Sequence, residues 1–252
     1  MTERLDNLCI VMVHTSHPGN IGSAARAMKT MGVKDLRLVL PNRFNSPETK
    51  ALASGADDIL DNARICDNLS EALADCHYVI ATSARSERSL RWPQMDAREA
   101  GISIAERLTT QKVALVFGRE RTGLTNSELE HCHALAHIPM AFDFFSLNIA
   151  AAIQLMCYEC RMAVLSNNAQ KTIDESELGD EQPATADALE AFFAHLETTL
   201  TETRYLDPNH PRLLMRRMRR LFSRAEPTAQ EVNMLRGMLA SFQGRKFRTR
   251  NA

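Results

Sequence analysis

Leu8-Cys9-Ile10-Val11-Met12-Val13 is an unbroken apolar run, followed by a helix-like stretch of about eleven residues from Ile21 to Met31 that stops at Gly32. A short run without polar alternation suits a strand buried on both faces, as in a parallel sheet. The pattern then repeats. Leu36-Arg37-Leu38-Val39-Leu40, Tyr78-Val79-Ile80-Ala81 and Val113-Ala114-Leu115-Val116-Phe117 read as further strands. Between the last two, Asp96 to Leu108 reads as a helix, with Asp96 as N-cap and Glu99 three residues on. The alternation predicts an α/β layer built on a mainly parallel sheet.

Downstream the chain turns helical. Leu147 to Leu165 carries Leu147, Ala151, Leu155, Tyr158 and Met162 at helical spacing, and Ala184–Arg204, Pro211–Arg224 and Pro227–Phe242 follow as three more helices. The polar, acidic stretch between them reads as a linker, giving an α/β domain over 1–166, a linker over 167–183 and a small all-α domain over 184–252. Met28, Met31, Met215, Met218, Met234 and Met238 fall at helical spacing, as packing residues would. With no run of 18 apolar residues, no membrane-spanning helix is expected. The N-terminus lacks a secretory pattern, and six scattered cysteines suit a reducing cytoplasm.

Net charge is −1, but its distribution is uneven. Thr172 to Thr203 holds nine acidic residues and no Lys or Arg, whereas Arg204 to Ala252 holds twelve Lys/Arg against three acids. Such asymmetry points to a basic surface for a polyanion, or equally to a solvated helical face.

Three segments carry candidate chemistry, each beyond the carboxyl end of a strand, where open α/β sheets bind ligands. Pro18-Gly19-Asn20-Ile21-Gly22-Ser23-Ala24-Ala25-Arg26 leaves the first strand, and its glycines would permit a tight turn. Phe117-Gly118-Arg119-Glu120-Arg121-Thr122-Gly123-Leu124 follows another; Gly118 would admit a ligand close to the backbone, and Glu120 brings a charge. It has neither the Gly-Lys-Ser/Thr of a P-loop nor the dinucleotide glycine fingerprint. The third, Phe144-Phe145-Ser146-Leu147-Asn148-Ile149-Ala150-Ala151-Ala152, offers Ser146 as a helix cap, and its small Ala150, Ala151 and Ala152 would let backbone or ligand pack closely against that helix. Cys157-Tyr158-Glu159-Cys160 has no second pair to complete a zinc site and reads as core thiols, and His131-Cys132-His133 as partly buried polar groups ending a helix; no metal is expected.

In this order and spacing, Asn20-x-Gly22-x-x-x-Arg26, Phe117-Gly118-Arg119-Glu120-x-x-Gly123-Leu124 and Ser146-Leu147-Asn148-x-Ala150 resemble the three motifs of the SPOUT methyltransferases. Within that class the chain is most similar to the bacterial tRNA (cytidine/uridine-32) 2′-O-methyltransferases of the TrmJ type. Thr15 to Asn20, Ala27 to Gly32, Thr82-Ser83-Ala84-Arg85 and the basic Met218-Arg219-Arg220-Leu221-Phe222 support this. The resemblance implies a deep trefoil-knotted α/β domain, a homodimer, S-adenosylmethionine as cofactor and the tRNA anticodon stem-loop as substrate. It implies cofactor contacts at Thr82, Ser83, Ala84, Gly118, Ile138, Phe145, Ser146 and Leu147. Catalytic duty would fall on Arg26, with Asn20, Glu120, Ser146 and Asn148 in support. RNA contacts would fall on Arg26, Arg85, Arg119, Arg216, Arg217, Arg219 and Arg220. Two positions depart from close relatives: Phe144 stands where they often carry Tyr, and His14 where an acidic or small polar residue is expected. Both bear on nucleobase preference.

An arginine stays protonated far above neutral pH, so Arg26 is expected to orient the ribose hydroxyl and steady negative charge rather than to act as a simple base. Two other readings stand beside this one: the same chemistry on ribosomal RNA or another tRNA position, and a non-catalytic RNA-binding module. A binding module would not need Asn20, Arg26, Glu120, Ser146 and Asn148 together.

Overall fold

Seven parallel strands form one sheet in the order β3-β2-β1-β6-β4-β7-β5. They are β1 (Leu8–Val13), β2 (Asp35–Val39), β3 (Arg64–Cys66), β4 (Tyr78–Thr82), β5 (Gln94–Asp96), β6 (Val113–Phe117) and β7 (Ala134–His137). This computed structural model describes residues 5–83, 92–141, 143–144, 146–168 and 182–244. The chain divides into two compact units, residues 1–174 and 175–252.

The strands β1 and β6 are buried at every position, as expected for central strands covered on both faces. The helices α1 (Pro18–Met31), α5 (Ala97–Arg107) and α7 (Ile149–Asn168) pack together on the sheet, α7 touching both of the others. Three short helices, α2 (Pro47–Ala53), α3 (Asp57–Asp61) and α4 (Leu69–Leu73), complete the β2–β4 half, and α6 (Asn126–Leu129) precedes β7. Asp96 caps α5 in a full capping box with Glu99, as its sequence predicts.

Three sequence expectations need correction. The glycines of the first segment lie in or beside a helix rather than a turn: α1 begins at Pro18, and a Cβ on Gly22 would stand 2.1 Å from the Thr49 carbonyl oxygen. Gly22 therefore lets α2 cross α1 in backbone contact. Next, α7 from Ile149 to Ser166 is long and apolar enough to cross a membrane by length and composition alone. Its Ile153, Met156, Cys157, Cys160 and Val164 sit in the domain core, so its apolarity serves packing. The stripe chosen from sequence, Leu155, Tyr158 and Met162, is the outward one. Third, Met234 and Met238 are exposed, while Met28, Met31, Met215 and Met218 pack as expected.

The strand β2 hides a charge that the apolar run disguised. Arg37 is 2% exposed and donates to Asp35, Asp75 and the Ala72 carbonyl, while Lys112 reaches both aspartates at 2.9 and 3.0 Å. Burial pushes both carboxyls up, but the hydrogen bonds from Arg37 and Lys112 outweigh it and hold them below the ordinary carboxylate range. The cluster ties the amino ends of β2, β4 and β6 together, away from the loops described next.

The second unit is helical: α8 (Ala186–Glu202), α9 (Leu214–Ala225) and α10 (Ala229–Phe242). Leu189, Phe192, Phe193 and Leu196 recur at helical spacing on α8 and meet Val232 and Leu239 of α10. Phe222 of α9 stands edge-on to Phe192, ring centroids 4.7 Å apart.

Candidate active site

A cleft of about 640 Å³ opens at the carboxyl ends of β4, β6 and β7. That size suits a cofactor-sized ligand. Thr82, Ser83, Gly118, Ile138, Ser146 and Leu147 line it, so six of the eight proposed cofactor residues come together; Ala84 and Phe145 lie outside the described residues. Ala136 and Met140 line it too, outside every quoted segment, as do Thr122 of the second segment and Ala152, a small residue expected to let a ligand approach α7. The wall combines apolar Ile138, Leu147 and Ile149 with polar Arg119, Glu120 and Ser146, a mixture fit for a molecule with an aromatic base at one end and charged groups at the other.

Gly118 has a second reason to be glycine. A Cβ there would lie 2.3 Å from the Gly123 carbonyl carbon and 2.4 Å from the Leu124 nitrogen, so the 118–124 loop closes on its own backbone at this point. Gly123 takes the left-handed conformation, φ 68°, and donates its N–H to the Arg119 carbonyl at 2.9 Å. Arg119 grips Glu128 with two hydrogen bonds of 3.0 Å, and Glu128 in turn boxes the N-terminus of α6 with Thr125. Burial raises the Glu128 carboxyl, but Arg119 and the Thr125 N–H more than reverse it. The guanidinium expected to meet RNA is thus committed to holding this loop.

Beside the cleft, the three motifs are joined by one polar chain. The Glu120 carboxylate accepts from the Ser16 N–H at 3.1 Å, the Ser16 hydroxyl at 3.0 Å, the His17 N–H at 3.3 Å and Asn20 Nδ2 at 3.0 Å. Asn148 Nδ2 donates to Asn20 Oδ1 at 2.9 Å. Burial pushes the Glu120 carboxyl up, yet these donors prevail and keep it below its ordinary value. An ionised carboxylate with its lone pairs taken anchors a loop well and accepts a proton poorly. Ser16, absent from the expected set, gives Glu120 both its N–H and its hydroxyl; only its place in the Thr15-Ser16-His17 stretch hinted at it. Asn148 Oδ1 also takes the Ala150 N–H at 2.8 Å, so Asn148 rather than Ser146 caps α7.

Arg26 stands on the exposed side of α1, outside the cleft lining. Arg85 lies outside the described residues, and Phe144 is 68% exposed. In the helical unit, Arg217 is exposed and Arg216 and Arg220 are half-buried. Arg219 is bound to the Glu190 carboxylate and lies 4.6 Å over the Phe193 ring, so it packs α9 onto α8. His133 is buried rather than at a partly wet helix end, its Nδ1 accepting the Val79 N–H at 3.1 Å. All six cysteines are buried free thiols, and among the described residues no group of His, Cys, Asp and Glu is arranged to hold a metal.

A parallel sheet with a ligand cleft at its carboxyl edge, lined by the second and third motifs and hydrogen-bonded through them to the first, defines a class. The chain belongs to the SpoU rRNA Methylase family, which matches residues 7–158. Residues 187–252 match a second family, the tRNA methyltransferase TrmJ, C-terminal domain. The chain is 50% identical over 240 residues to a Klebsiella pneumoniae tRNA (cytidine/uridine-2′-O-)-methyltransferase TrmJ, covering 95% of this chain and 97% of that one. A Pseudomonas aeruginosa relative, named a tRNA (cytidine/uridine/adenosine-2′-O-)-methyltransferase, is 48% identical with 95% of each covered. Among solved structures, TrmJ from Z. mobilis superposes with a TM-score of 0.80 at 32% identity, covering 93% of this chain and 98% of that one.

Proposed function

We propose that this protein transfers a methyl group from S-adenosylmethionine to the ribose 2′-hydroxyl of nucleotide 32, cytidine or uridine, in the tRNA anticodon loop. The observation that carries this is the joining of Asn20, Glu120 and Asn148 beside a cofactor-sized cleft. The relatives' names supply the substrate class.

S-adenosylmethionine would be held by Thr82, Ser83, Gly118, Ile138, Ser146 and Leu147, and supplies an electrophilic methyl group on a sulfonium. The chain's residues do the rest by position. The 118–124 loop, braced by Arg119–Glu128, fixes one wall, and the Glu120–Asn20–Asn148 chain fixes the loop off β1 against it. Arg26 offers a guanidinium to the substrate's phosphate and to the charge developing on the ribose oxygen.

Several finer features belong to the same reading. A homodimer fits the outward face of α7, where Leu155, Tyr158, Met162 and Leu165 leave an apolar stripe exposed. A trefoil knot fits the strand order, in which β6 lies between the earlier β1 and β4, and β7 between the earlier β4 and β5. The expected linker over 167–183 is shorter at both ends, because α7 runs to Asn168 and Gln182 and Pro183 pair with the 228–229 segment of the helical unit; the exposed arginines of that unit serve as a phosphate-docking face, and the cytoplasm as the setting.

The test is methyl transfer to an unmodified tRNA transcript, read by nucleoside mass spectrometry. The expected product is a 2′-O-methylated nucleotide at position 32. Methylation of ribosomal RNA alone, or of no RNA, would overturn the proposal.

A further inference from the structure

We propose that the loop joining β2 to α2, residues 40–46, forms the RNA-facing lip of the active site, with Arg43 taking a phosphate next to the methylated ribose. The inference rests on the methyltransferase reading above. It starts from where this loop is fastened. The Asn42 N–H donates to the Thr15 carbonyl at 3.1 Å, and Thr15 precedes Ser16, the donor to Glu120. The Thr49 hydroxyl reaches the Pro18 carbonyl at 3.2 Å, and Glu48 pairs with His17 at 3.4 Å. The loop and the start of α2 thus embrace the 15–18 segment that the polar chain holds. The cleft for the cofactor is walled by the 118–124 loop and the third motif, and no residue of 15–18 or 40–49 lines it.

The loop is anchored at both ends, and most of its side chains look outward. Phe44 packs against the domain core and Ser46 caps α2, accepting the Thr49 N–H. Leu40, 48% exposed, and Asn42, Arg43 and Asn45 face solvent. Among the described residues the Arg43 guanidinium has no hydrogen-bond or ion-pair partner, its carbonyl alone being engaged, by the Ser46 N–H at 3.1 Å; the Glu48 carboxylate at the start of α2 pairs with His17. Leu40 and Arg43, with His14 in the adjoining loop, hold positive φ of 45°, 51° and 51°, unfavourable for residues with a Cβ. Such strain persists where the surroundings impose it, and it gathers at binding sites. An anchored loop presenting a free guanidinium, two amides and an exposed leucine suits a single-stranded RNA segment: a phosphate for Arg43, a base face on Leu40.

The experiment compares Arg43→Gly and Arg43→Lys with the full-length wild type. Glycine adopts positive φ without penalty, so Arg43→Gly should melt no lower than wild type. Its tRNA affinity should nevertheless fall roughly tenfold, as for one lost charge-assisted hydrogen bond. The plot of log affinity against log salt should flatten by about 0.7–0.9, with S-adenosylmethionine affinity unchanged. Arg43→Lys should restore the salt slope, because the charge is kept. A wild-type salt slope and tRNA affinity in Arg43→Gly would overturn the proposal. Binding is titrated independently of turnover, so an inactive wild type would count against the proposed reaction and an unchanged slope against the lip.

Discussion

Replacing Gly118 by alanine adds one methyl group at the point where the second motif loop crosses itself. That methyl would sit 2.3 Å from the Gly123 carbonyl carbon, 2.4 Å from the Leu124 nitrogen and 2.8 Å from the Gly123 oxygen, all backbone atoms with no rotamer to escape into. Restoring van der Waals separation requires a displacement of about 1 Å. Overpacking of this kind costs about 1–3 kcal/mol, and for a protein of this size each kcal/mol lowers the melting temperature by about 2–4 °C. The displaced atoms line the cleft, so S-adenosylmethionine affinity should drop as well, and turnover by about a hundredfold, as misplacement on this scale does. Gly123→Ala is the control: its Cβ would meet nothing within 4 Å but must adopt φ 68°, so it should cost about 1–2 kcal/mol of stability while moving the loop little. Calorimetric titration of the cofactor beside melting curves checks both. A Gly118→Ala protein that melts and binds as wild type would refute the reasoning.

Arg219→Ala should lose about 1–3 kcal/mol by melting, through Glu190 and the Phe193 ring, and leave the salt slope of tRNA binding unchanged. Arg217→Ala should do the reverse, flattening that slope by about 0.7–0.9 without lowering the melting temperature. Burial, helped by the charge of Arg107, depresses the His133 pKa to about 4, so the unfolded chain binds the extra proton between pH 6.5 and 4. Stability should therefore be lost as pH falls through that window, by about 3 kcal/mol at its end, and His133→Gln should flatten this part of a denaturation–pH profile. Arg26→Lys should cut turnover by about 10²–10³ in a methyl-transfer assay, with melting within about 0.5 kcal/mol of wild type; full activity would remove Arg26 from the chemistry.

The central strands were legible because burial on both faces leaves an uninterrupted apolar run, as in Leu8–Val13 and Val113–Phe117. Strands β3, β5 and β7 have three or four residues each, too short for a periodicity to emerge from Arg64-Ile65-Cys66 or Gln94-Met95-Asp96. Arg37 reads as a surface residue in a strand, since its partner Asp75, and Lys112 which shares that carboxylate, arrive from distant parts of the chain. Asn20, Glu120 and Asn148 were found by motif, but that one atom chain joins them follows only from the fold. The outward and inward faces of α7 are both apolar, so spacing alone could not orient it. Arginines on α9 look alike in sequence; only the position of Glu190 separates Arg219 from Arg217.

The place of β6 in the sheet has a consequence for biogenesis. Leu8 pairs with Val113, and Tyr78 pairs with that same Val113, so the two halves of the sheet share no edge until β6 emerges from the ribosome. Until then β1 and β4 each expose a bare edge on a largely apolar strand, the kind of surface that recruits other chains. Pairings this distant in sequence also make folding slow. Nascent chains stalled before residue 113 should therefore depend on chaperones far more than those released past residue 168, where α7 has covered the joined sheet.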